Sequence, residues 1–361
     1  MKPLQMPMFS PETEWIPPTH LPDLKDHKEI AIDLETRDPG LKSSGSGSVN
    51  GNGEVVGIAV AVEGWSGYFP IAHEGGGNMD RALVLDWFEE VLHTDATKIF
   101  HNAMYDVSWI RSMGFYIRGG VIDTLIAASL IDENRWGYAL NALGKQYVGV
   151  GKNEKILNDA AKSWGIDPKA DMWRLPAPLV GEYAEQDAVL TLRLWHALQR
   201  EISSQDLWDV FNLETNLFPC LIDMKFKGVR VDAEKANLLK QELIKEEKNI
   251  YRGIRKLIGF DVEIWAAASI AKAFDEVKLP YDRTEKGAPS FTKNFLSTHP
   301  HELPKAIANA REINKAHTTF IDTIIKHEHN GRIHADINQI RSDDGGTVTG
   351  RFSYSNPNLQ Q

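Results

Sequence analysis

The chain has 361 residues, 42% of them hydrophobic and 25% charged, with 40 Lys and Arg against 50 Asp and Glu. Such a composition is ordinary for globular domains, suggests two of them with a fragment of a third, and holds no apolar run long enough to cross a bilayer. The single cysteine, Cys220, excludes an internal disulfide and fits a reducing compartment. Its Leu-Phe-Pro-Cys-Leu-Ile setting predicts a buried structural thiol. The net charge of −10 is unevenly spread: residues 225–361 carry 22 basic against 18 acidic residues, leaving 18 against 32 in residues 1–224. An acidic first part suits cation binding, and a mildly basic second part suits phosphates.

Residues 1–27, rich in proline and polar side chains, predict an extended lead-in. Residues 29–35 alternate as a strand, with Ile30, Ile32 and Leu34 on one face and Ala31, Asp33 and Glu35 on the other. A Gly/Ser/Asn stretch at 43–53 reads as a hairpin-type loop, followed by strands at 54–62 and 67–71. Gly75-Gly76-Gly77 reads as a flexible spacer, since it lacks the lysine and spacing of a phosphate-cradling loop. A helix at 80–92 and a strand at 98–100 precede helical patterns at 102–113, 122–132, 138–147, 153–164 and 178–200. This order predicts a ribonuclease-H-like α/β fold, a mixed sheet flanked by helices on both faces. From about residue 206 long helices dominate. Asp232 is placed to N-cap one that runs to Ile258 and ends at Gly259, with Leu239, Leu243, Ile250, Ile254 and Leu257 as its apolar stripe. A second long helix at 304–327 would pair with it as an all-α arm, and residues 331–361 return to strand and loop character.

Three acidic signatures lie along this framework: Asp33-Leu34-Glu35, then His101-Asn102-Ala103-Met104-Tyr105-Asp106, then Tyr183-Ala184-Glu185-Gln186-Asp187. Strand alternation puts Asp33 and Glu35 on one face. On their helices Asp106 lies one turn after Asn102, and Asp187 one turn after Tyr183. Carboxylates gathered in one place raise each other's pKa unless a cation offsets the repulsion, and an all-oxygen donor set selects Mg²⁺ or Mn²⁺ over zinc.

These blocks resemble the exonuclease motifs of the DEDDy nucleases, as found in the proofreading domain of family A (DNA polymerase I-type) DNA polymerases, over about residues 25–200. The resemblance implies that Asp33, Glu35, Asp106 and Asp187 hold two metal ions and that Tyr183, with Glu35, orients the attacking water. It also implies that Thr36 and Asn102 contact the 3′-terminal nucleotide, and that the product is a nucleoside 5′-monophosphate released by two-metal hydrolysis. It continues beyond residue 206. Residues 214–232 resemble the start of the polymerase domain, and residues 269–274 with Ala288-Pro289-Ser290 resemble thumb segments. Arg311 and Lys315 match basic thumb positions. Thr349-Gly350-Arg351-Phe352-Ser353 and Asn356-Pro357-Asn358-Leu359-Gln360 resemble the strip along the primer–template duplex, which implies a minor-groove role for Arg351 and polar contacts from Asn358 and Gln360. Asp343-Asp344-Gly345-Gly346 is more acidic than that region of the family.

The organisation implied is a lead-in at 1–27, an exonuclease domain at 28–205, a helical thumb-like DNA-binding region at 206–330 and an incomplete start of the palm at 331–361. The family's polymerase aspartates and fingers follow the position matching Gln361, so the expectation is a nuclease-and-thumb part of a split or truncated polymerase, without a polymerase site of its own. The expected partners are a single-stranded DNA 3′ end, a primer–template duplex and a second chain carrying palm and fingers, with no membrane, in a bacterial or phage-infected cytoplasm. Two other readings stand beside it: a DEDD-type 3′–5′ ribonuclease, and a DNA-gripping polymerase subunit whose nuclease is secondary.

Overall fold

In the computed structural model, which describes residues 11–343 and 345–360, the alternating segment forms β1 (Glu29–Arg37) at the centre of a five-stranded sheet. β1 pairs antiparallel with β2 (Glu54–Val62), and β2 with β3 (Trp65–Pro70). On its other side β4 (Thr97–Phe100) and then β5 (Val121–Asp123) run parallel, giving the order β3-β2-β1-β4-β5. The expected mixed sheet is present. β5 lies where the sequence suggested the start of a helix, because three residues carry too little alternation to mark a strand.

Helices α1 (Arg81–Leu92), α2 (Ala103–Ser112), α3 (Thr124–Ile131), α4 (Lys155–Trp164), α5 (Pro178–Ser204) and α6 (Trp208–Lys227) surround the sheet. Ile30, Ile32 and Leu34 pack on one face with Val84, Trp87 and Phe88 of α1 and Trp109 of α2. The opposite face presents Ala31, Ala59 and Ala61 to Tyr183, Ala184 and Ala188 of α5. Small side chains on both partners let α5 lie close to the sheet, and that is the face to which Asp33 and Glu35 belong.

Several local expectations change. The stretch at 43–53 holds two helical turns, Leu41–Ser44 and Gly47–Asn50, and the Asp38 carboxylate accepts the Gly47 N–H at 3.1 Å. The ends of the glycine run are packed, since a Cβ at Gly75 would lie 2.3 Å from the backbone nitrogen of Pro176 and one at Gly77 2.8 Å from Pro178 Cδ, while Gly76 between them is open. Residues 138–147 form only the turn Leu140–Leu143 and a π-helical turn Gly144–Val148. Cys220 is exposed, because α6 turns Phe218, Leu221 and Ile222 inward and leaves position 220 outside. The described part of the lead-in is extended but docked. Trp15 lies against Gly181 and donates to Glu185 at 2.5 Å, while Trp87 donates to the Pro22 carbonyl at 2.7 Å. Residues 1–10 of the lead-in, Asp344 of the acidic insert and the terminal Gln361 fall outside the described residues.

The chain divides into two compact units, one running to Gly228 and resuming at His334, the other comprising Val229–Ile333. Residues from His334 on are tied into the first. Asp336–Asn338 pairs with Ser353–Ser355, Lys225 meets Asp336 at 2.9 Å, Gln339 donates to the Glu214 carbonyl at 2.7 Å, and Asp343 accepts the Tyr138 N–H at 2.6 Å.

The second unit is mainly helical. α7 (Ala233–Ile258) starts where Asp232 accepts the Lys235 N–H at 2.9 Å and stops at Gly259, whose φ of +84° suits glycine. Ile254 and Ile258 pack with Phe274 of α8 (Ala267–Glu276) and Leu303 and Ile307 of α9 (Glu302–Lys315). The helical path continues to His327 through a π-type segment, Ala316–Ile321. A three-stranded sheet of Val229–Arg230, Arg332–Ile333 and Glu328–His329 and the hairpin Asp282–Arg283 with Pro289–Ser290 complete the unit. Leu239 and Leu257 of the expected stripe are exposed, whereas Glu247 is buried. Glu247 tolerates burial because Asn314, Tyr251 and His317 supply hydrogen bonds at 2.8, 3.1 and 2.7 Å. Among the described residues no helix is long and apolar enough to cross a membrane.

Candidate metal centre

Asp33 and Glu35 stand two residues apart on β1, opposite Ala59 and Gly57 of β2, and the Tyr68 ring fills the space that the missing side chain of Gly57 leaves. Asp187 comes down from α5. Oxygens of these three carboxylates lie within 4.8 Å of one another. Asp106 arrives by a different route. β1 pairs with β4 only over residues 29–31, and the Leu34 N–H beyond that ladder is taken by the Asp106 carboxylate at 3.0 Å. Asp33, Glu35 and Asp187 thus gather beyond the short parallel ladder of β1 and β4, where open α/β sheets place their ligands, while Asp106 stands outside that group of three, tied to β1 through the Leu34 N–H.

Burial decides the electrostatics. It pushes Asp33 up to about 7, helped by the charge of Asp187 and opposed by Lys152. Glu35 is raised well above its ordinary range by burial, then by Asp33 and Asp187. Asp106 is raised by burial and by Asp33, against the pull of the Leu34 N–H. Asp187 is raised by burial with Lys152 opposing, and its Oδ1 is buried without a hydrogen-bond partner. An orphaned carboxylate oxygen among mutually repelling acids, all offering oxygen donors, is the environment a hard divalent cation fits. Tyr183 is buried beside Asp187, and its phenol is held well above its usual pKa by burial and then by Asp187, Glu35 and Asp33.

Thr36 and Asn102 lie at the rim. A register shift between Glu35 and Thr36 turns the strand, and the Thr36 hydroxyl meets the Tyr105 hydroxyl at 2.5 Å. Asn102 is exposed and left-handed, φ +68°, a conformation asparagine tolerates, at the start of α2. With Tyr105 it lines a cavity of 360 Å³ shared with Lys225, Asp336 and Asn338; that cavity opens on the rim and not on the carboxylates.

Two residues escaped the sequence reading. Lys152 reaches the cluster from the loop before α4 and meets Asp187 at 2.5 Å. Asp123 accepts the N–H groups of Asn102, Ala103 and Leu125 at 2.9, 2.8 and 2.9 Å, capping the starts of α2 and α3 together. Replacing Asp123 by Ala should cost about 1–4 kcal/mol, as two lost caps, read as a lower urea midpoint. An unchanged midpoint would show that those N–H groups find other acceptors. No spacing rule links either residue to the acids, so neither carried a signal.

The remaining candidates lie on later segments of the chain. Arg311 donates to the carbonyls of Ile264 and Phe291 at 2.7 and 2.9 Å and stacks on Trp265, so much of its donor capacity is used within the second unit. Lys315 is exposed there, one turn on, with its ammonium 5.6 Å from the Phe320 ring centre. Arg351, Asn358 and Gln360 are exposed on the returning segment of the first unit. Asn358 accepts the Gln360 N–H at 2.9 Å, and the Gln360 amide donates to the Phe352 carbonyl at 2.9 Å.

Comparison with known proteins agrees with the geometry. A family model described as 3′–5′ exonuclease matches residues 17–203, and one described as DNA polymerase family A matches residues 233–361. A DNA-directed DNA polymerase of Pseudomonas phage M6 is 35% identical over an alignment covering 99% of this chain and 57% of that protein. DNA polymerase DpoZ of Salmonella phage PMBT28 is 30% identical, covering 94% and 56%. DNA polymerase I of Pseudomonas aeruginosa is 28% identical, covering 94% and 37%. The chain therefore spans little more than half the length of the phage relatives, and less of the bacterial one. Among solved structures, the POL domain of Pol1 from M. smegmatis in complex with DNA primer-template and dNTP superposes with a TM-score of 0.69 at 17% identity, over 93% of this chain and 53% of that one, a likeness of fold. The exonuclease match takes in more than half of the chain and all of Asp33, Glu35, Asp106, Tyr183 and Asp187: the chain belongs to the 3′–5′ exonuclease family, continued from residue 233 by a portion of DNA polymerase family A.

Proposed function

We propose that this chain removes nucleotides from DNA 3′ ends as the proofreading part of a family A polymerase. The observation that carries the reading is the approach of Asp33, Glu35 and Asp187 to within 4.8 Å of one another, with Asp106 held on the Leu34 N–H of the same strand. These four side chains would hold two ions of Mg²⁺ or Mn²⁺. Bound there, the ions would lower the pKa of a water and stabilise the leaving 3′ oxygen. The chain's own part is placement. The Tyr183 phenol stays protonated at neutral pH and donates a hydrogen bond that, with Glu35 as acceptor, orients the attacking water. Thr36 and Asn102 hold the last nucleotide at the rim, and nucleoside 5′-monophosphates leave.

The same reading assigns residues 28–205 to the exonuclease domain, 206–330 to a thumb-like region and 331–361 to the start of a palm. Lys315, Arg351, Asn358 and Gln360 are exposed and would meet a primer–template duplex, Asn358 and Gln360 by exchanging their local hydrogen bonds, with Arg311 adding charge from its tethered position. The solved neighbour bound to a primer–template supports a duplex partner, and relatives from phage and bacteria support work in the bacterial cytoplasm.

End-labelled DNA and RNA single strands of one sequence test this reading. DNA should shorten stepwise from its 3′ end with Mg²⁺ and not with EDTA. Faster loss of RNA would favour the ribonuclease reading, duplex binding without shortening would favour a gripping subunit, and undiminished cleavage in EDTA would remove the metal.

A further inference from the structure

The acidic cluster already touches a cation that belongs to the chain. Lys152 Nζ lies 2.5 Å from Asp187 Oδ2, 3.4 Å from the Tyr183 hydroxyl and 5.1 Å from the centre of the Tyr183 ring. Only 12% of its side chain is exposed, and 5% of that of Asp187. Among the described residues Lys152 is the only basic side chain reported in contact with the three gathered carboxylates.

The local backbone is built to deliver this ammonium. Gly149 (φ +79°) turns the chain out of the π-helical segment. Gly151 passes so near Asn141 and Lys145 that a Cβ would lie 2.6 and 2.5 Å from their side chains. The Lys152 N–H then donates to Asn141 Oδ1 at 3.0 Å. Gln186 clamps the strap on both sides, donating to the Gly151 carbonyl at 3.2 Å and accepting the Asn153 N–H at 2.6 Å. Gln186 sits on the same turn of α5 as Tyr183 and Asp187. One helical turn therefore carries the carboxylate, the phenol and the clamp that brings the lysine to both.

A surface ion pair has no need of such fixing, and contributes little. Here the lysine offsets repulsion that would otherwise fall on buried acids. It cannot ligate a cation while charged, and it occupies the Asp187 oxygen next to the orphaned one. Resting on the reading that this cluster binds divalent ions, we propose that Lys152 is a positioning residue acting as a resident counter-cation: it holds Asp187 in the ligand-free chain and releases that carboxylate when a divalent ion binds. Ion and ammonium thus compete for Asp187, while the clamped strap keeps the lysine at hand for the next exchange.

Competition has a measurable size. A carboxylate free for about a tenth of the time weakens apparent ion affinity about tenfold. Calorimetric titration of Mn²⁺ into the full chain at pH 7.5, with thermal unfolding in EDTA, reads both sides of the exchange. Lys152→Met should bind Mn²⁺ about tenfold more tightly than the parent. It should also melt at a lower temperature in EDTA and gain more from Mn²⁺, whereas Lys152→Arg should follow the parent in all three. A folded Lys152→Met that binds Mn²⁺ no more tightly, or less so, overturns the proposal. If that variant does not fold without metal, Gln186→Ala, which loosens the strap but keeps the lysine, must shift affinity in the same direction, and an unshifted or weaker affinity overturns the proposal equally. A parent chain that binds no Mn²⁺ fails the nuclease reading itself, so the two failures are distinguishable.

Discussion

Replacing Asp33 and Glu35 together by Ala is expected to slow hydrolysis of a DNA 3′ end by on the order of 1,000-fold or more, about 4 kcal/mol of barrier, while primer–template binding persists. The pair supplies two of the three carboxylates gathered within 4.8 Å, so little is left to hold a cation. The duplex candidates Arg311, Lys315 and Arg351 make none of the hydrogen bonds or ion pairs in that cluster. A loss of activity through misfolding is separable, because both acids are raised by burial and by each other or by Asp187, so their charges oppose folding near neutral pH. The double variant should therefore unfold in EDTA no more easily than the parent. Hydrolysis at the parental rate would defeat the site assignment; a collapsed melting temperature would leave duplex binding as a sign of structural damage and defeat the view that these charges strain the fold.

The second large effect is a pH-dependent stabilisation by divalent ions. An acid whose folded pKa is raised keeps its proton in the native state after the unfolded chain has released it. Its contribution to stability is complete below the unfolded value near 4 and is lost as pH rises through the folded value, which for Asp33 is about 7. Each such group tilts stability by up to about 1.4 kcal/mol per pH unit across that window. Buried neutral His73 and His101, held down to about 4, act in the opposite sense, but only below about 6.5, where an unfolded histidine gains its proton. Between pH 6.5 and 8 the carboxylates dominate, opposed only towards pH 8 by Lys98, which burial lowers to about 8 so that its folded form sheds a proton before the unfolded one. In EDTA the chain should lose stability over that range, and Asp33→Asn should lose less. With Mn²⁺ at about a hundred times its Kd, roughly 2.7 kcal/mol should return, and the gain should be larger at pH 8 than at pH 6.5. Denaturant titrations at both pH values, with EDTA or Mn²⁺, read this directly; a metal effect independent of pH would mean that the acids are already ionised in the folded chain.

Much of the site was readable because its information is local. Alternation places Asp33 and Glu35 on one face of a strand, and a four-residue spacing places Tyr183 and Asp187 on one side of a helix, whatever they later meet. Helix limits at Asp232 and Gly259 followed from the same kind of rule, since a cap acts within its own turn. The failures involve partners far along the chain. Leu239 and Leu257 look like core and are exposed, while Glu247 looks like surface and is buried, because Asn314 and His317 on the neighbouring helical segments accommodate a carboxylate there. Cys220 is outside because the apolar residues beside it, and not the cysteine, face the core.

From residue order alone came the strand and helices that carry the acids, the side of each element on which they lie, and the oxygen-only character of the donors. Tertiary structure decided that α5 approaches the alanine-rich sheet face closely enough to bring Asp187 to Asp33 and Glu35, that Leu34 anchors Asp106, and that Lys152 is threaded among them. Periodicity specifies directions within one element; distances between elements are set by which small and large side chains pack against each other across the whole fold.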